Sequence, residues 1–271
     1  ASRPAGTVSP GRPSGGASVK VRGWGGQIQG SREEQQDVWG LFPPRGGRGW
    51  VALVADGMGG LPLGGRASRV AGEAVRGVVQ GEDAEEVSPR LLERAVAAAQ
   101  AAVSALGRRE GFPGYVGTTL VLALLDEGGL HWSTVGDSRL YLLRDGELRL
   151  LSEDHTVGAR LLRAAAAGRL DPEEARRHPE RDALVSFLGI EELREVARSG
   201  DPLPLRPGDR VLLATDGVTR TLEDREVARA LSAHGEDPAA ALLEAVARKG
   251  KAAQDNATAV VLAVEEGGRE T

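Results

Sequence analysis

The sequence predicts an α+β fold with sheets in the middle and helices outside. Three observations carry this. Short apolar runs recur along the chain, too short for helices and bounded by Gly and Asp. Several are separated by tight turns rich in Asp and Gly, which pair strands antiparallel and exclude a doubly wound nucleotide-binding sheet. Helical stretches fall in sequential pairs between the strand groups, so helices layer against sheets.

The elements follow in order. WVALVA at 50–55 lies between Gly49 and Asp56-Gly57 and reads as a buried strand. Helices are expected over 64–79 and over 89–106, the second with Ser88 as N-cap and Gly107 as its stop. Apolar runs at 120–125, 130–135, 140–143 and 148–151 read as strands. Asp126-Glu127-Gly128-Gly129 joins the first two, and Asp145-Gly146 makes a plain hairpin turn between the last two. Short helices follow over 157–167 and 172–177, the latter opened by Asp171-Pro172. A strand at 211–215, helices over 223–233 and 238–248, and a strand at 257–264 complete the series. Residues 1–18 are dominated by Pro, Gly, Ser and Ala and read as a disordered lead-in; 266–271 reads as a frayed tail.

Composition excludes several classes of function. Hydrophobic residues make up 41%, enough for a core, but aromatics only 3%, so Val, Leu and Ala must fill it. No run approaches 18 apolar residues, which argues against a membrane span. There is no Cys, hence no disulfide framework, thiolate zinc site or cysteine nucleophile. The four His are scattered, with no two spaced by four, so a multi-histidine zinc site is not expected. The net charge of −5 disfavours a nucleic-acid binder. The only Met, Met58, is internal, so the chain reads as processed or as an excerpt. No N-terminal segment suggests secretion, and a cytoplasmic monomer is expected.

Aspartates recur at strand ends. Asp56 and Asp216 each follow an apolar run and precede Gly, Asp137 follows 132–136, and Asp255 stands before the last strand. A strand-end carboxylate is partly desolvated, and several converging would repel one another. A divalent cation is the common remedy, and without Cys the ligands are oxygens, which suits Mg²⁺ or Mn²⁺. A single Asp-Gly is more often only a turn. On the residues alone the turn and ligand readings stay near even.

VADGMGG at 54–60 resembles the central signature of the metal-dependent, protein phosphatase 2C-like serine/threonine phosphatases. The family's other elements follow in order. They are GSREEQQD at 30–37, Gly117-Thr118-Thr119, GDSR at 136–139, LSEDHT at 151–156, His178-Pro179, the stretch 183–189, ATDG at 214–217, and Asp255-Asn256. The resemblance looks bacterial in type. It implies two central antiparallel sheets sandwiched between pairs of helices (α-β-β-α), a catalytic domain over 19–265, and a flap at about 156–204. It also implies site roles. Asp56 bridges two Mn²⁺ or Mg²⁺ ions, the Gly57 carbonyl holds the second, and Asp216 and Asp255 hold the first. Asp37 orients metal-bound water, Asp137 serves a third, weaker ion, and Arg32 clamps the substrate phosphate. The implied mechanism is in-line attack by a metal-bridging water, with no covalent phosphoenzyme.

Two positions depart from the family pattern. Gln36 stands where many relatives carry Glu, and Met58 stands where eukaryotic relatives carry His and reads as a packing residue. Arg139 is expected to pair with a nearby acid, and His155 to be a satisfied structural histidine. Asn256, the only Asn, is suggestive, though a turn role also explains it. The expected partners are phosphorylated proteins and a serine/threonine kinase, with neither nucleic acid nor membrane. Two other functions stay open: a catalytically weak regulatory module that binds phosphoproteins, and a two-metal hydrolase of another phosphate ester.

Overall fold

The computed structural model describes residues 19–45, 49–58, 63–81, 89–233 and 237–266. The expected lead-in, the Ser88 cap, Gly59 and Gly60 of the central signature, and the tail beyond 266 lie outside them. The strands are β1 (Val19–Ile28), β2 (Asp37–Phe42), β3 (Trp50–Asp56), β4 (Leu120–Asp126), β5 (Gly129–Val135), β6 (Arg139–Arg144), β7 (Glu147–Leu150), β8 (Ala197–Arg198), β9 (Arg210–Ala214) and β10 (Ala257–Glu266). The helices are α1 (Gly64–Gln80), α2 (Pro89–Glu110), α3 (Val157–Ala166), α4 (Pro172–Arg177), α5 (Asp216–Thr219), α6 (Asp224–Ser232) and α7 (Pro238–Arg248). One five-stranded sheet runs β1-β10-β9-β6-β7 and the other β2-β3-β4-β5-β8. Every strand pairing in both is antiparallel.

Strand alternation builds three cores from these layers. On β3, Val51, Leu53 and Ala55 face α1 and α2, while Ala52 and Val54 face the other sheet. On β10, Ala259, Val261 and Ala263 face α6 and α7, while Val260, Leu262 and Val264 point between the sheets. Central strands are thus buried on both faces, and their sequences read as near-continuous apolar runs. Helix pairs cover the outer faces, giving the expected α-β-β-α order.

Two expectations need correction. The second helix does not stop at Gly107 but continues to Glu110. Gly111, with φ of 81°, ends it, and Phe112 N–H reaches back to the Gly107 carbonyl at 2.8 Å. That is the usual left-handed glycine termination, displaced by one turn. Three strands, β1, β2 and the two-residue β8, also went unread. β1 carries glycines where apolar residues would mark a period: a Cβ at Gly23 would overlap Leu41, and one at Gly25 the Trp39 ring. Close approach to β2 requires those glycines and erases the alternation. The Asp145-Gly146 turn is as expected, with φ of 54° and 80° in a two-residue hairpin.

Candidate active site

The site forms where the two sheets end side by side. Asp37 opens β2 and Asp56 closes β3, and the two are register partners. Asp216 opens α5 directly after β9, Asp255 precedes β10, and Asp137 lies between β5 and β6. Asp37 ties one sheet to the other. Its buried Oδ2 accepts from Thr215 Oγ1 at 2.8 Å and from Thr258 Oγ1 at 2.7 Å, both on the opposite sheet's side. Thr258 N–H in turn donates to Thr215 Oγ1 at 2.9 Å. The other Asp37 oxygen, Oδ1, is buried and accepts from no hydroxyl or amide. It lies beside the adjoining Asp56 carboxyl.

Backbone contacts fix Asp56. Its carbonyl accepts from Thr119 N–H and Thr118 Oγ1, each at 2.9 Å, and its N–H donates to Thr119 Oγ1 at 3.0 Å. The GTT element at 117–119 thus holds the end of β3. Gly57 donates to the Gln36 carbonyl at 3.2 Å, and a Cβ there would overlap the Gly64 carbonyl, so only glycine fits. Met58 packs as expected: a Cβ on Gly117 would stand 2.8 Å from its sulfur.

The loop that carries Arg32 is strapped by Asn256. Its Nδ2 donates to the carbonyls of Gln29 at 2.8 Å and Glu34 at 3.1 Å, and its Oδ1 accepts from Gln36 N–H at 2.8 Å. Ser31 adds two bonds to the Gln254 carbonyl, at 2.8 Å from N–H and 2.9 Å from Oγ. Arg32 Nη2 lies 2.6 Å from Asp255 Oδ2.

Crowding shows in the electrostatics. Burial first, then the charges of Asp37, Asp216 and Asp137, push Asp56 well above the usual carboxylate range. Burial pushes Asp37 to about 6, and burial with the Asp216 charge pushes Asp137 to about 6. Burial raises Asp216 too, opposed by the Arg220 guanidinium. Arg220 contacts Asp137 Oδ2 at 2.8 Å through Nη2 and Asp216 Oδ2 at 3.1 Å through Nε.

The donor set fits hard divalent ions in kind and place: oxygen only, desolvated, mutually repelling, with one buried carboxylate oxygen lacking a fixed donor. Among the described residues, however, no three acidic or His side chains are drawn together ready to grip an ion. The reason is visible. Asp37 is held by two threonines, Asp255 by Arg32, and Asp137 and Asp216 by Arg220. An ion held by Asp255 must replace the Arg32 contact.

A family model for protein phosphatase 2C matches residues 27–248. The chain belongs to the protein phosphatase 2C family. This phosphatase 2C chain is 32% identical over 200 residues to the serine/threonine phosphatase stp of Listeria monocytogenes, covering 72% of this chain and 77% of that one. It is 34% identical over 212 residues to the serine/threonine protein phosphatase PstP of Mycobacterium tuberculosis, covering 78% of this chain and 40% of that longer protein. The crystal structure of M. tuberculosis PstP/Ppp superposes with a TM-score of 0.73 at 31% identity, over 91% of this chain and 99% of that one. The PstP catalytic domain in complex with two manganese ions gives a TM-score of 0.72 at 29% identity, over 92% and 100%.

Two structural expectations for this phosphatase 2C chain hold. Arg139 forks onto Asp154 with contacts of 3.0 and 2.7 Å. His155 is buried, its Nδ1 accepts from Gly136 N–H at 3.0 Å, and burial lowers its pKa. Three site residues escaped sequence reasoning: Thr215, Thr258 and Arg220. Arg220 stands four residues after Asp216, a helical spacing that signals a shared face. Beside it opens a cavity of about 300 Å³ lined by Asp137, Arg139, Asp154, Arg181, Asp216 and Arg220, among others. Among the described residues no helix is long and apolar enough to cross a membrane.

Proposed function

We propose that this chain is a serine/threonine protein phosphatase that hydrolyses phosphoserine and phosphothreonine with two Mn²⁺ or Mg²⁺ ions. The observation that carries this is the convergence of Asp37, Asp56 and Asp216 at the sheet ends, with Arg32 on Asp255 at their margin. Asp56, the Gly57 carbonyl, Asp216 and Asp255 would hold the ions, with Asp37 behind them. When bound, such ions supply Lewis acidity and a water activated near neutral pH.

The chain's own residues do the rest. Asp37 stays fixed by Thr215 and Thr258 and offers Oδ1 toward Asp56. Gly57 lets the backbone close on α1. Arg32, freed from Asp255 by an ion, presents a planar fork to the phosphate oxygens. Its loop is held by Asn256, so the fork returns to one place. Residues 156–204 hold eight Arg and nine acids, a balance that suits a solvated flap setting substrate choice. We read the substrates as phosphoproteins of a serine/threonine kinase, met in the cytoplasm by a monomer.

A phosphothreonine peptide assayed with Mn²⁺, and again with EDTA, tests this. Turnover that needs the metal supports the reading. Undiminished turnover in the chelated sample overturns the two-ion mechanism, and no turnover under any metal favours the regulatory alternative.

A further inference from the structure

We propose that the Arg220 guanidinium is a tethered cation standing in for a third metal ion at Asp137, so that the chain holds two ions and no third. The inference rests on the two-ion reading above and deepens it. Asp137 was expected to serve a weaker third ion, yet its carboxylate is already engaged.

The geometry carries the argument. Arg220 reaches Asp137 Oδ2 at 2.8 Å and Asp216 Oδ2 at 3.1 Å with separate nitrogens of one fork. Those carboxylate side chains are only 10% and 17% exposed. Their accessible oxygens therefore face few directions, and Arg220 lines the same cavity as both carboxylates. The carboxylate of Asp182 adds a further attraction. A guanidinium cannot lose its proton in a protein, so the charge is permanent. Its tether keeps it at high effective concentration beside Asp137.

Arg220 is also anchored from behind. It follows Asp216 by one helical turn, which puts both side chains on one face. Its N–H bonds the Asp216 carbonyl at 2.8 Å, and its own carbonyl accepts from Lys251 Nζ at 2.7 Å. Arg32 differs. It makes one contact to Asp255, and with 52% and 39% of the two side chains exposed an ion can displace it from the solvent side. A divalent ion at Asp137 would instead have to expel Arg220 or sit beside its positive charge. Asp137 is then a positioning residue for Arg220, not an ion ligand.

Ion counting tests this. Mn²⁺ bound per chain is measured by calorimetry and by atomic emission after dialysis, for the wild type, Arg220→Ala, Arg220→Gln and Asp137→Asn, each checked for folding by thermal melting. The expected counts are two for the wild type, three for either Arg220 variant, and two for Asp137→Asn. A third ion in the wild type that disappears in Asp137→Asn would overturn the inference. So would a count of two in a folded Arg220 variant. If both Arg220 variants fail to fold, the wild type and Asp137→Asn still decide: two ions in each supports it. No bound ion in any protein overturns the two-ion reading itself, and this inference with it.

Discussion

Asp37 and Asp56 stand directly opposite each other across the β2–β3 ladder, the first buried and the second half-buried, and both are held above the usual carboxylate range. A like-charge pair facing across antiparallel strands is destabilising unless protonated or bridged by a cation. Without metal, protonation is the only relief. Asp37 titrates at about 6 when folded against 3.8 as an ordinary group, so the folded state holds the proton more tightly than the unfolded chain. Its contribution is complete below about pH 4 and is lost as pH rises through about 6. Asp137, also at about 6, acts in the same sense. The rise in Tm on adding Mn²⁺ to stripped protein should therefore be larger at pH 7.5 than at pH 5. Scanning calorimetry across that range checks it, and an equal rise at both ends would count against the cluster as the metal site.

Arg32 is engaged by Asp255 at 2.6 Å with about half its side chain exposed. Such an exposed pair is worth ~1 kcal/mol or less. Arg32→Ala should therefore leave metal affinity within roughly fivefold of wild type. If Arg32 clamps phosphate, the same variant should raise KM and lower kcat/KM. Steady-state kinetics with parallel metal titration separates the two effects. Unchanged kinetics would return Arg32 to a surface ion pair.

Legibility in the sequence followed the physics of each element. Strands buried on both faces, such as β3 and β10, announced themselves as apolar runs. β1 hid because Gly23 and Gly25 replace the side chains that would show its period. The strand-end aspartates marked the site, but the family resemblance, more than spacing, turned four ambiguous turns into candidate ligands. The groups that hold those aspartates were harder to read. Thr215 and Thr258 are 43 residues apart and meet only through the β9–β10 ladder. Arg220 is one of many arginines in the sequence, and only its fork on Asp137 and Asp216 sets it apart.

Asn256 supplies three bonds to the loop over 29–36 from one side chain. Asn256→Ala would remove these bonds from the half-buried Gln36 N–H and from two carbonyls on exposed residues, at ~0.5–1.5 kcal/mol for a typical bond. Stability in urea should fall by about that amount. Because the loop positions Arg32, KM should also rise. A variant that loses stability but keeps KM would show that other contacts suffice to place Arg32.

The threonine pair gives the sharpest separation of stability from metal binding. Thr215 both donates to Asp37 and accepts from Thr258 N–H, whereas the Thr258 hydroxyl only donates to Asp37. Thr258→Val therefore removes one bond to the carboxylate. Thr215→Val removes one such bond and also leaves the Thr258 amide unpaired. Each lost partner of a buried group is worth ~1–3 kcal/mol, and the hydrophobic isostere restores packing but not the bond. Thr215→Val should thus be the more destabilised of the two in urea melts. Both should weaken Mn²⁺ binding, because Asp37 loses the anchor that directs Oδ1 toward Asp56. Equal stabilities, or intact metal affinity in both variants, would mean that the register of β2 against β3 alone fixes Asp37.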